Sequence, residues 1–326
     1  MSLTGTMLEE LLEITREGKP RENGITMATD DLGSLDGGLL AESADCIDYV
    51  KIGLGLPLML ERSWLLERVR RFHDLGIKVM SGGTLMEVAA QRGVVSQVLE
   101  GLKALEFDLV EVSDFAGGVT LETKRTIASK ATQLSMDYIF EVGSRDGLPV
   151  SPGQTITKIQ EALDLKSQKV VVEVPREGLA AGRVGYQREG WEVLDEVAGT
   201  FGPPKIIFES QQMQQLTALI LEFGPTVNLA GLSLNDALVL EMQRLGLTFE
   251  TLGLSRPLQS VEGSPASKFI YHLIRAEHPV DQATLCLRSG LPRRTVQAAL
   301  SALVDGGLVR QVPDASDMRK HRYTIR

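Results

Sequence analysis

Histidine and cysteine are scarce in this chain, with four of the first and two of the second among 326 residues. His73, His272, His278 and His321 show no metal-ligand spacing, which argues against a histidine-based zinc site. Cys46 and Cys286 stand far apart in apolar or helical surroundings, so they are expected to be buried, reduced thiols and not a disulfide or redox pair. No apolar run approaches the ~18 residues of a membrane span. The first residues lack the basic-then-apolar pattern of a signal peptide, so a cytoplasmic protein with no membrane partner is expected. A Gly-x-Gly-x-x-Gly signature after the first strand, the mark of a dinucleotide-binding sheet, is missing as well. With 43% hydrophobic and 24% charged residues, the composition is that of an ordinary soluble globular protein. The length suits a barrel of roughly 250 residues with an appendage.

Charge is unevenly shared. The net charge is −9, yet residues 264–326 hold ten Lys/Arg against five Asp/Glu, leaving 24 basic and 38 acidic residues in 1–263. A basic tail on an acidic body predicts two parts with different partners.

Four apolar runs each end in a glutamate: Leu109-Val110-Glu111, Tyr138-Ile139-Phe140-Glu141, Val170-Val171-Val172-Glu173 and Ile206-Ile207-Phe208-Glu209. The glutamates are 30, 32 and 36 residues apart, about one strand-plus-helix unit. Strands are predicted at 25–29, 47–52, 77–80, 109–112, 138–142, 169–174, 206–209 and 226–229, after a short amphipathic helix at 7–18. Helical patterns at 63–75, 85–104, 121–134, 154–165, 191–200, 213–223 and 234–245 alternate with them. The strand runs do not alternate inside and outside, as expected of strands buried on both faces. A (β/α)8 barrel, an α/β TIM barrel over residues 1–253, is the expected fold.

In such barrels chemistry sits at the C-terminal rim, where the strand ends deliver their polar groups. Here these are Asp30-Asp31, Lys51, the Ser81–Thr84 stretch with Glu87, Glu111 with Ser113 and Asp114, Glu141, Glu173, Glu209 with Gln211, and Asn228. A carboxylate cluster of this kind is costly unless a divalent cation neutralises it, which predicts a metal-assisted site. Gly82, Gly83 and Thr84 open a helix, where free amides favour an anion. The competing reading is that individual carboxylates cap helices or pair with a nearby cation, as Glu173 could with Lys169 or Arg176.

Residues 254–263 read as a linker, and the grammar changes beyond it. Helices are expected at 265–276 and 282–289, the second capped by Asp281 and stopped by Gly290. A third opens at Pro292 and stops at Gly306-Gly307, followed by a hairpin of 308–312 with 321–325. Three helices and a basic hairpin describe a small C-terminal winged-helix domain over 264–326. The stretch GLPRRTVQAALSALVDGGLV resembles the turn and recognition helix of archaeal and bacterial winged-helix domains. Arg293, Arg294, Arg319, Lys320 and Arg322 are its candidate nucleic-acid contacts, against a protein-binding or oligomerising role for the same module.

The segments IDYVKIGLG, GIKVMSGGTLMEVA, LVEVSD, FEVGSR, KIIFES-QQMQQ, LILEFGPTVNLAGL and LEMQRLGLTFETLG appear in the order found in the phosphosulfolactate synthase family of coenzyme M biosynthesis, which residues 24–253 resemble. The resemblance implies a (β/α)8 lyase that uses Mg²⁺ to add sulfite to phosphoenolpyruvate. It further implies Lys51, Glu111, Asp114 and Glu141 as catalytic residues, and Glu141, Glu173 and Glu209 as metal ligands. Gly82, Gly83, Thr84, Arg145, Arg176, Gln211 and Asn228 would bind the phosphorylated substrate and sulfite. The chain departs from the family's pattern in its cations. Asp30-Asp31 stands where the family has Asp-Lys, Ser144-Arg145 where it has two lysines, and Pro175-Arg176 where it has a phosphate-binding arginine. A guanidinium binds an anion but does not deliver a proton at neutral pH. The alternative reading is a regulator, a barrel that senses a small anion coupled to a DNA-binding winged helix. The amphipathic N-terminal segment and the outer barrel helices would support a homo-oligomer.

Overall fold

The structure of the chain, a computed structural model, describes residues 17–33, 38–115, 117–143, 151–175, 189–252, 254, 263–277, 280–314 and 317–325. The helix expected at 7–18 and most of the linker at 254–263 lie outside the described residues. The chain divides into two compact units, residues 1–255 and 256–326.

Eight parallel strands close the barrel of the first unit in chain order: β1 (Thr26–Thr29), β2 (Tyr49–Ile52), β3 (Lys78–Ser81), β4 (Leu109–Val112), β5 (Asp137–Val142), β6 (Val170–Glu173), β7 (Ile206–Glu209) and β8 (Asn228–Ser233). β8 returns to β1, so no edge is left unpaired. Between the strands run α1 (Gly38–Ser43), α2 (Leu56–Met59), α3 (Arg62–Asp74), α4 (Gly83–Gln91), α5 (Val95–Ala104), α6 (Leu121–Gln133), α7 (Pro152–Asp164), α8 (Glu189–Phe201), α9 (Met213–Phe223) and α10 (Ala237–Arg244). The single helix expected over 85–104 is two, because Arg92–Val94 leave helical geometry with Gly93 at φ +67°.

Both faces of each strand are buried, which explains the missing alternation. Val50, Val79, Val110, Phe140, Val170, Ile206 and Phe208 face the helices. Met27, Met80, Leu109, Ile139, Val171, Ile207 and Ala230 fill the interior with Tyr49. The pleat returns to the interior two residues further on. After Tyr49, Leu109, Ile139, Val171 and Ile207, that next position is Lys51, Glu111, Glu141, Glu173 and Glu209. An apolar plug therefore underlies a polar layer at the C-terminal mouth.

Strand 8 is longer and later than the sequence suggests. Gly231 is not the loop after the strand but a bulge within it, where the register against β1 slips between Met27 and Ala28. It takes φ +94°, and a Cβ there would lie 2.7 Å from the Ser210 carbonyl oxygen. Asn228 consequently starts β8 at the end of the barrel opposite the rim.

The second unit holds α11 (Pro265–Glu277), β9 (Val280–Asp281), α12 (Gln282–Ser289), α13 (Arg293–Asp305), β10 (Val309–Asp314) and β11 (Asp317–Ile325). Its sheet runs β10-β11-β9, all antiparallel. Ile270, Ile274, Leu285, Val296, Leu300 and Leu303 form its separate core, with Cys286 partly buried against it. Asp281 caps α12 by accepting the Thr284 N–H at 2.8 Å, as its sequence position predicts. No described helix is long and apolar enough to cross a membrane.

Candidate active site

Lys51 is the centre of the polar layer. Its Nζ lies 2.7 Å from Glu111 Oε1 across β3 and donates to Glu209 Oε2 at 2.7 Å from the other side of the barrel. All three side chains are largely buried, at 8%, 2% and 15% exposure for Lys51, Glu111 and Glu209. One oxygen each from Glu111, Glu141 and Glu209 lies within 4.8 Å of the others. Burial alone would weaken the Lys51 ammonium, but Glu111, Glu209 and Glu141 outweigh it and hold its pKa above the ordinary value. Burial pushes Glu111 up, with Glu209 adding to the rise and Lys51 opposing it. Glu141 is pushed well above the usual carboxylate range, first by burial and then by Glu111. Three carboxylates against one ammonium leave the cluster with excess negative charge.

Glu173 stands apart from this trio. A Cβ on Gly143 would come within 2.6 Å of Glu173 Oε2, so the bare glycine at the end of β5 admits that carboxylate. Beside it opens a cavity of about 170 Å³, bounded by Glu141, Glu173, Glu209, Ser210, Gln211 and Gln212. Gln211 lies in the wall of this cavity. Asp114 borders a smaller cavity with Glu141, Lys124 and Lys158, while its Oδ1 accepts the Val119 N–H at 3.0 Å and shapes the loop after β4.

Other expectations change. The Gly82 N–H donates to the Ile52 carbonyl at 3.1 Å, and the Gly83 N–H to Glu111 Oε2 at 3.0 Å. These amides are used within the fold and do not stand open to an anion. Gly83 is small for a different reason, since a Cβ there would fall inside the Ser113 side chain. Thr84 is exposed in the first turn of α4. Asn228, expected to bind substrate, is fully buried at the far end of the barrel. Its Oδ1 accepts the Ile25 N–H at 3.0 Å and its Nδ2 donates to the Ile206 carbonyl at 3.0 Å, so it stitches β1, β7 and β8. Asp30 is buried in a two-pronged pair with Arg68, both contacts at 2.6 Å, and Asp31 accepts from Asn235 Nδ2 at 3.1 Å. Arg145 and Arg176 lie outside the described residues.

Two supporting residues were not among the candidate site residues, although Glu87 was placed at the rim. Glu87 accepts from Ser113 Oγ at 2.5 Å and from the Phe115 N–H at 3.1 Å, anchoring the segment that carries Asp114. Gln215, buried on α9, accepts from Ser210 Oγ at 2.5 Å and donates to the Pro175 carbonyl at 3.0 Å, tying the ends of β6 and β7. A polar residue inside the apolar stretch QLTALIL was its only signal.

The family model described as (2R)-phospho-3-sulfolactate synthase (ComA) matches residues 14–250. Phosphosulfolactate synthase of Methanocaldococcus jannaschii is 33% identical over 217 residues, which cover 64% of this chain and 85% of that protein. The Methanothermobacter thermautotrophicus enzyme of the same name is 28% identical over 252 residues, covering 75% of this chain and 97% of its own. The Bacillus subtilis one is 28% identical over 251 residues, covering 73% and 96%.

Proposed function

Because this chain belongs to the (2R)-phospho-3-sulfolactate synthase (ComA) family, we propose that its barrel is a lyase-type synthase that adds sulfite, or a related nucleophile, to phosphoenolpyruvate or a similar phosphorylated acid. The observation that carries this reading is the convergence of Glu111, Glu141 and Glu209 on Lys51 at the C-terminal mouth. Mg²⁺ takes hard oxygen ligands at about 2.0–2.1 Å, so its ligands sit roughly 3–4 Å from one another. Carboxylate oxygens within 4.8 Å of each other fit that shell with small side-chain shifts. The excess negative charge left after Lys51 suits a divalent ion. Glu111, Glu141 and Glu209 would hold it, with Glu173 at the edge of the cavity.

A product with sulfur and phosphate on adjacent carbons requires the sulfite lone pair to form its bond at the methylene carbon. The double-bond electrons then move to the phosphate-bearing carbon and its carboxylate, and that carbon takes a proton. No oxidant or reductant is needed. Bound Mg²⁺ would supply charge neutralisation at the substrate carboxylate. Lys51 stays cationic through its three glutamates and offsets part of their charge beside the ion. Gln211 and Gln212 bring amide donors to the 170 Å³ cavity. Asp114, which borders the smaller cavity, is assigned to proton delivery. Arg145 and Arg176 are assigned to the phosphate and carboxylate.

The test incubates the intact protein with phosphoenolpyruvate, sulfite and Mg²⁺, following phosphoenolpyruvate loss and the sulfonated product by mass spectrometry. Sulfite-dependent loss that a chelator stops supports the reading. Phosphoenolpyruvate that persists whatever the sulfite and Mg²⁺ concentrations would sink it.

A further inference from the structure

We propose that the second unit binds duplex DNA as a winged helix-turn-helix, with the exposed face of α13 lying in the major groove. α12 and α13 are joined by Gly290, Leu291 and Pro292 alone, and Gly290 takes the left-handed conformation at φ +64°. A turn of three or four residues, often with a glycine, is the connection that sets two helices in a helix-turn-helix. α13 spends its apolar stripe inside the unit: Val296, Ala299, Leu300 and Leu303 are buried, at i, i+3, i+4 and i+7. The exposed side carries Arg294, Gln297, Ala298 and Ser301 opposite that stripe, with Arg293 exposed at the start of the helix.

That face suits one class of partner. It carries two guanidinium groups, an amide and a hydroxyl, and no carboxylate before Asp305 at the far end of the helix. Arginine and glutamine are the side chains that pair with guanine and adenine edges, and small residues beside them let the helix approach closely. Thirteen residues give a helix of about 20 Å, which enters a groove about 12 Å wide. The β10–β11 hairpin adds an exposed Arg310, with Arg319, Lys320 and Arg322 in β11. The excess of five positive charges over 264–326 contrasts with the acidic remainder of the chain. A protein-binding winged helix has no need of a carboxylate-free polar face, and charge complementarity selects the phosphate backbone.

The experiment is fluorescence anisotropy of a mixed-sequence duplex titrated with the intact protein. Retention that weakens at least tenfold between about 50 mM and about 200 mM salt is expected. The double substitution Arg293→Ala and Arg294→Ala should weaken binding about tenfold or more and reduce the salt slope by about two. Gln297→Glu, which places an acid on the same face, should weaken it as well. Arg125→Ala on α6, exposed on the barrel, should leave binding unchanged. Far-UV circular dichroism confirms that each variant is folded. Equal weakening by Arg125→Ala, affinity indifferent to the α13 substitutions, or no salt-sensitive retention would each overturn the proposal. Self-association that the α13 substitutions abolish, in a chain that ignores DNA, would assign the face to a second copy instead.

Discussion

Lys51 Nζ sits 2.7 Å from Oε1 of Glu111, a carboxylate that is itself 98% removed from solvent. A buried carboxylate of this kind survives only with a partner, and the partner is shared with Glu209. Lys51→Met removes the ammonium that Glu111 and Glu209 share and leaves the carboxylates repelling one another. Breaking a buried pair from one side costs about 3–5 kcal/mol. Urea denaturation at neutral pH is expected to show a loss of that order, partly restored by adding Glu209→Gln. A double variant no more stable than Lys51→Met would mean that Lys51 does not counterbalance Glu209.

The same crowding gives the metal-free protein a pH signature. Burial and Glu111 hold the Glu141 carboxyl well above its ordinary value of 4.5, and Glu111 is raised too. The folded chain thus retains protons that the unfolded chain has released, so it binds more protons than the unfolded state in that window. Stability from these groups is complete below the unfolded value and is lost as pH rises through the raised folded one. The melting temperature without metal should fall from about pH 5 toward neutrality, and Glu141→Gln, which carries no titrating proton, should flatten that fall. A parallel profile for parent and variant would remove Glu141 from the cause. The raised Lys51 acts at the alkaline end, where its stabilisation is complete below the ordinary value of 10.5 and is lost as pH rises from there through the folded one.

Most of the barrel and half of the site were legible in the sequence, for different reasons. Strands buried on both faces read as unbroken apolar runs, so Val170–Glu173 and Ile206–Glu209 declare themselves, and the glutamate at each end marks where the chain meets polar surroundings. Which carboxylates meet was not legible. The barrel's stagger, not the sequence position, decides that Glu111 joins Glu141 and Glu209 while Glu173 turns toward Gly143. Asn228 misled because a bulge glycine and a loop glycine look alike without φ. Gly83 misled because its small size serves packing on Ser113, a contact made thirty positions away in the chain.

Asn228 supplies a test that separates architecture from chemistry. Its side chain satisfies backbone groups of Ile25 and Ile206 in a site without solvent. Asn228→Ala takes the side-chain acceptor from the buried Ile25 N–H, at a cost of about 1–3 kcal/mol. The melting temperature should drop while KM for the phosphorylated acid stays within error below the transition. A KM increase without destabilisation would return Asn228 to the substrate.

The trio and Glu173 should also part company in their response to Mg²⁺. Glu111, Glu141 and Glu209 each place an oxygen within 4.8 Å of the other two, whereas Glu173 only borders the cavity beside them. Each of Glu111→Gln, Glu141→Gln and Glu209→Gln removes one charged oxygen from the proposed Mg²⁺ shell. In each, turnover should fall by about a hundredfold or more, and the rise in melting temperature with Mg²⁺ should shrink. Glu173→Gln should retain the Mg²⁺-dependent rise and lose turnover less severely. The thermal measurement needs no substrate, so it reports the ion even if the reacting pair is other than sulfite and phosphoenolpyruvate. A Mg²⁺ response untouched in all three trio variants but lost in Glu173→Gln would move the ion out of the Lys51 cluster and toward the end of β6.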